Sequence, residues 1–190
     1  MTDIEIAVSF LALLGGLLLA NVANNMADAL RARRDLPIGF VPWAINFYIS
    51  AAVINIFVIL SAADETFVFD MVSLVGLLAA FIPYIMVSRL LYPEHKDRWT
   101  SVEDYYIANR KLILGIMLIT QVVAIFTLVH GGFYLDMAIW EIIVRLLVLY
   151  GPVILTLLLL MLTDKRQWHW AGWSFLIVHR IAIMTSVAGL

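Results

Sequence analysis

The chain reads as an all-α integral membrane protein, a single domain built as a bundle of about six transmembrane helices. Three observations predict it. The composition is 64% hydrophobic and only 14% charged, with a mean hydropathy of +0.99, whereas a soluble domain is about half apolar and about a quarter charged. The apolar residues fall into six runs, each close to the ~20 residues needed to cross ~30 Å of hydrocarbon. Ten of the twelve lysines and arginines lie in or beside the first, third and fifth connections between those runs, and none in the second or fourth. That bias marks the cytoplasmic side. Both termini are therefore expected outside the cytoplasm, in a bacterial inner membrane.

The first run, 4–30, has Asp3 and Glu5 in its amino-terminal flank and no A-x-A site after it, so it is expected to be a retained helix and not a signal peptide. Ala12, Gly16 and Ala20 form a small-residue stripe that lets another backbone approach closely. Asn21, Asn25 and Asp28 follow on one face near the basic end. They either line a water-filled vestibule or bond a neighbouring helix. In the second run, 40–62, Asn46 and Asn55 are half a rotation apart at 100° per residue, so only one can line a given cavity. Asn46 shares its face with Ser50, and Asn55 is expected to face outward, toward a neighbouring helix or subunit. The third run, 69–91, carries Ser73, Gly76, Ala80 and Pro83, a second small-residue stripe ending in an expected kink.

The third connection holds two capping-box patterns, Thr100 with Glu103 and Ser101 with Asp104. They predict a helix that begins near residue 101, projects about two turns (101–111) into the cytoplasm and continues unbroken through the fourth run, 112–129. Trp99, Tyr105 and Tyr106 then sit at headgroup level, and Arg110 and Lys111 invite anionic lipid. Trp43, Trp99, Trp168, Trp170 and Trp173 are expected to form an aromatic belt on the basic side, with Trp140 opposite. Acidic Asp64, Glu65, Asp70 and Asp136 fall on the other side.

Leu90-Leu91-Tyr92-Pro93, then Tyr105-Tyr106 and Asn109-Arg110 ahead of the next apolar helix, together with the 163–169 turn, resemble a widespread set of small bacterial polytopic inner-membrane proteins. The resemblance runs loosely over the whole chain. It implies a helical bundle of about six helices and no particular activity. Arg180 and the asparagines of the second run stand outside its pattern.

The fifth and sixth runs, 137–162 and 168–190, contain the two remaining basic residues, Arg145 and Arg180. An arginine at helix centre costs about 2.5 to 3.5 kcal/mol on translocon scales, so each needs a partner, water or a task. Glu141 precedes Arg145 by one turn, in the order that favours an ion pair, and His179 adjoins Arg180. Helical rise puts both arginines near the midplane, ~13 Å from one surface and ~12 Å from the other. Glu141, Arg145, His179 and Arg180 are thus expected to converge, two cations on one anion. The plainer alternative is a Glu141–Arg145 pair with Arg180 bonded to helix carbonyls or snorkelling.

Some functions are disfavoured. The net charge of −2 and the short, scattered basic clusters argue against a nucleic-acid partner. No cysteine is present, which removes thiolate nucleophiles, iron–sulfur clusters and cysteine zinc sites. The histidines lack the matched depth of a bis-histidine haem site, and no paired-carboxylate or nucleophile-elbow pattern occurs. No cofactor, metal or catalytic residue is expected. Two readings remain: an anion-favouring ion or small-solute pathway through Glu141, Arg145, His179, Arg180 and the asparagine faces, or a non-catalytic accessory or scaffold subunit, as a homo-oligomer or within a membrane complex.

Overall fold

The computed structural model describes residues 3–62, 71–134 and 137–188. Among them are seven α-helices, α1 (Asp3–Arg31), α2 (Phe40–Ala62), α3 (Met71–Leu90), α4 (Val102–Tyr134), α5 (Ile139–Leu149), α6 (Gly151–Leu162) and α7 (Arg166–Ala188), with one 3-10 turn at Lys96–Arg98 and no strand. Three are long and apolar enough to cross a membrane, within Ser9–Arg31, Phe40–Val58 and Val102–His130; α5 and α6 together make a fourth such span if the pair counts as one. That is fewer than the six expected. The apolar stretch of α3, Leu78–Leu90, is shorter, and α7 is diluted by Arg166, His169, His179 and Arg180. Asp64, Glu65, Asp70 and Asp136 lie outside the described residues, as do the ends of the third and sixth runs.

The largest departure from the expected helices is a 41° bend that splits the fifth run at Tyr150. Its origin is local. Pro152 has no N–H for the carbonyl four residues back, that of Val148, and its ring crowds the preceding turn. Ladder bonds run up to Tyr150 N–H on Leu146 O (3.0 Å) and resume with Ile154 N–H on Tyr150 O (2.9 Å). The orphaned Val148 carbonyl is taken by His179 Nε2 of α7 at 3.1 Å, the kind of substitute partner that lets proline persist in an apolar helix.

Helix α4 runs unbroken through its capped start. Asp104 N–H donates to Ser101 Oγ (3.0 Å) and the Ser101 hydroxyl donates back to Asp104 Oδ2 (2.8 Å), so of the two capping patterns the Ser101/Asp104 one forms. Helix α3 packs chiefly on α4, α2 on α7, α1 on α3 and α4 on α6. The core gathers Leu11, Leu18, Ile45, Ile49, Phe81, Val87, Ile113, Met117, Leu157 and Leu176 from six helices. Helix α5 buries only Ile142. The α3 stripe packs at Gly76 against Thr127 of α4. The Ala12, Gly16, Ala20 stripe is exposed instead, because α1 turns Leu11, Gly15, Leu18 and Val22 inward, and Gly15 meets Phe57 so closely that any Cβ would collide with the ring. Asn55 is also reversed: it is 5% exposed.

Candidate functional site

The three basic connections meet at one end of the bundle, and their polar groups interlock there. The α1–α2 loop lies over the start of α4: Val102 N–H donates to Pro37 O (2.9 Å), and Phe40 N–H, the first of α2, donates to Glu103 Oε2 (3.2 Å). A carboxylate at a helix N-terminus complements its partial positive charge. Glu103 is 2% exposed and also accepts the Trp170 indole N–H, with Arg166 Nε at 3.8 Å. Gly39 makes this approach possible. Its φ is +79°, which a residue with a side chain rarely adopts, and a Cβ would strike Glu103 itself. Arg166 also pairs with Asp104, whose carboxyl is held below the usual carboxylate range by the Thr100 and Ser101 hydroxyls and then by Arg166.

One turn deeper, Trp173 Nε1–H donates to Tyr106 Oη (3.1 Å), Tyr106 Oη lies 3.0 Å from His169 Nδ1, and His169 Nε2 lies 3.0 Å from Thr163 O. A single tautomer, with the proton on His169 Nε2, lets Tyr106 donate to Nδ1 and satisfies every group in the chain. Tyr106 and Trp173 are both 0% exposed. Both rings therefore face the protein interior and not lipid, since each has a hydrogen-bonding partner inside and can bury its full ring. Trp99 and Tyr105 stay at the surface and stack edge to face at 5.2 Å. Lys111 is exposed, whereas Arg110 turns back to Ile107 O (2.8 Å).

The asparagines divide between the two roles open to them. Asn21 Nδ2 donates to Ser88 Oγ (2.6 Å) and Asn25 Nδ2 to Ser88 O (2.9 Å), clamping α1 to the end of α3. Asn46 Nδ2 donates to the Tyr92 hydroxyl (2.7 Å). Burial pushes that phenol up to about 12, opposed by the Asn46 bond. Asn25, Asp28, Tyr92 and Pro93 then wall a cavity of about 210 Å³ that Leu36 and Val102 close. Asp28 is solvated and paired with Arg31 (2.8 Å).

The expected four-residue convergence does not form. Arg180 does face inward: its Nη2 donates to Tyr48 Oη (2.9 Å), Tyr84 and Tyr150 lie within its electrostatic reach, and Tyr84 is bonded by Gln121. No carboxylate pairs with it among the described residues, and its Nε is buried without a partner. His179 is occupied by the Val148 carbonyl. Arg145 is exposed and Glu141 partly so, and no ion pair joins them. Ile142 is the one buried residue of α5, and Arg145, one turn further on, is exposed.

Sequence reasoning missed Tyr48, Tyr92, Trp170 and the burial of Glu103. Each depends on a contact between residues 46 to 132 positions apart, for which no local pattern exists. Compared with protein families, curated proteins and solved structures, the chain matches none.

Proposed function

We propose that this chain is a six-span protein of a bacterial inner membrane, with its basic end in the cytoplasm and its termini opposite, serving as a non-catalytic subunit of a membrane assembly. One observation carries the reading: Arg145 lies exposed on α5, a helix with a single buried side chain, and has no ion-pair or hydrogen-bond partner among the described residues. An arginine facing lipid at that depth costs about 2.5 to 3.5 kcal/mol, a cost that a neighbouring subunit removes. Asn21, Asn25 and Asn46, with Tyr106, His169 and Trp173, make hydrogen bonds between separate segments of the bundle, as packing groups do. At the basic end, a shallow groove between Arg33, Arg34, Gly39 and Trp43, together with Lys111, suits anionic headgroups at the membrane surface. The test is the size of the particle. After extraction in a mild detergent, native mass measurement should give a species larger than one copy; a strictly monomeric particle in native nanodiscs as well would overturn the assembly reading.

Arg180 favours a second reading, the anion-favouring pathway. Its guanidinium sits among tyrosines with no carboxylate to neutralise it, which is the electrostatic arrangement that attracts an anion. Anion flux into proteoliposomes that falls to background in Arg180→Gln would support it, and equal flux in empty liposomes would remove it.

A further inference from the structure

We propose that the outer face of α5 docks a second copy of this chain, with Glu141 of each copy pairing with the partner's Arg145. The inference rests on the assembly reading and names the occupant. Helix α5 is the least embedded of the seven. Ile142 is its one buried side chain, and Trp140, Ile143, Val144, Leu147 and Val148 are exposed, an apolar surface that Glu141 and Arg145 border along one edge. The two charges are four residues apart, which separates them by ~6 Å along the helix and ~40° around it, so they share that surface. Neither has a hydrogen-bond or ion-pair partner for its side chain among the described residues.

A two-fold axis along the membrane normal brings two copies of α5 side by side, running in the same direction. In such an isologous contact every pairing occurs twice. The carboxylate of each copy then meets the guanidinium of the other, and the flexible stem of arginine spans the axial offset. The face is self-complementary: it holds one cation and one anion, so two copies neutralise each other with no charge left over. A partner of different sequence would have to bring its own matching pair.

The experiment exploits the absence of cysteine from the chain. Val144→Cys places a reporter on the face, and Val122→Cys, exposed on α4, reports random collisions. Oxidative cross-linking in native membranes, with two differently tagged copies, should give several-fold more disulfide dimer from position 144 than from 122. Glu141→Arg alone, or Arg145→Glu alone, should reduce the dimer at 144 to the collision level. Co-expressing those two single variants should restore the mixed-tag dimer and not the same-tag dimers, because only the mixed pair has an opposite charge across each contact. That rescue also shows that both variants fold.

Cross-linking at 144 no better than at 122 in the unmodified background would overturn the proposal. So would a mixed dimer that is not rescued although the double variant within one chain is, since that places the pair inside one copy. If the tagged copies co-purify while position 144 never cross-links, the α5 proposal fails and the assembly reading stands. If they neither co-purify nor cross-link and the particle is a monomer, both fail.

Discussion

The basic end of the bundle and the outer face of α5 are similarly polar in sequence and opposite in construction. At the basic end, Arg166 reaches Asp104 and lies near Glu103, the buried carboxylate also receives a backbone N–H from α2 and an indole N–H from α7, and three loops are tied by their polar groups. On α5 the same residue types, Glu141 and Arg145, sit one turn apart and have no ion-pair partner among the described residues. Spacing along one helix brings two charges within reach, but tertiary packing decides whether they meet. Glu103 is held because three other segments converge on it. Glu141 and Arg145 lie on a helix that faces away from its neighbours.

The contrast can be broken most severely at Glu103. Glu103→Ala should lower the stability of the detergent-solubilised protein by about 3 kcal/mol, since hydrogen bonds to a charged acceptor contribute about 1.5 to 3 kcal/mol each and the donors left behind are partly buried. A melting curve unchanged from the parent would show that the interlock contributes nothing. Gly39→Ala should come next, at about 2 kcal/mol. The left-handed backbone alone costs about 1 to 2 kcal/mol for a residue with a Cβ, and that Cβ would also displace Glu103.

Acid should sharpen the difference less. The Asp104 carboxyl titrates below its unfolded value of about 3.9. Its contribution is therefore fully present above that pH and is lost as pH falls through the lower folded value. Melting temperature should drop as the pH is taken below about 4, with a smaller drop in Asp104→Asn. The effect stays modest because the side chain is 36% exposed, where solvent screens the pair. The smallest change is expected at α5: Arg145→Gln should shift the melting of the isolated bundle by less than about 0.5 kcal/mol, the range of surface substitutions. A loss comparable to Glu103→Ala would show that Arg145 holds its own bundle together.

Helix positions were legible in the sequence because hydropathy and capping are local. The start of α2 at Phe40, the end of α6 at Leu162 and the Ser101 cap of α4 all follow from residues within a few positions of the boundary. The break at Tyr150 was present in the sequence as Pro152, inside an otherwise continuous apolar run. The proline signals only that a carbonyl is freed, and whether a helix tolerates that depends on a partner from elsewhere, here His179. The candidate site was legible in part. The inward orientation of Arg180 follows from the expense of facing lipid, but its partner Tyr48 lies 132 residues away. Tyr106 and Trp173 looked like interfacial anchors because aromatic residues near a basic end usually are, and only their mutual hydrogen bond allows them to be interior.

The proline break also sets an order of events during synthesis. Helix α5 is ~16 Å long and α6 ~18 Å, so neither is long enough to cross a ~30 Å core alone, and only the bent pair together has the length of a span. When they emerge from the ribosome, the Val148 carbonyl has no partner, because the imidazole that will receive it is encoded 31 residues later. The α5–α6 pair is thus delivered with an open joint, and α7 closes it on arrival. The last helix acts as a latch in time as well as in space: a nascent chain stalled before His179 carries an unlatched α5–α6 bend, and a chain extended past it can lock the bend.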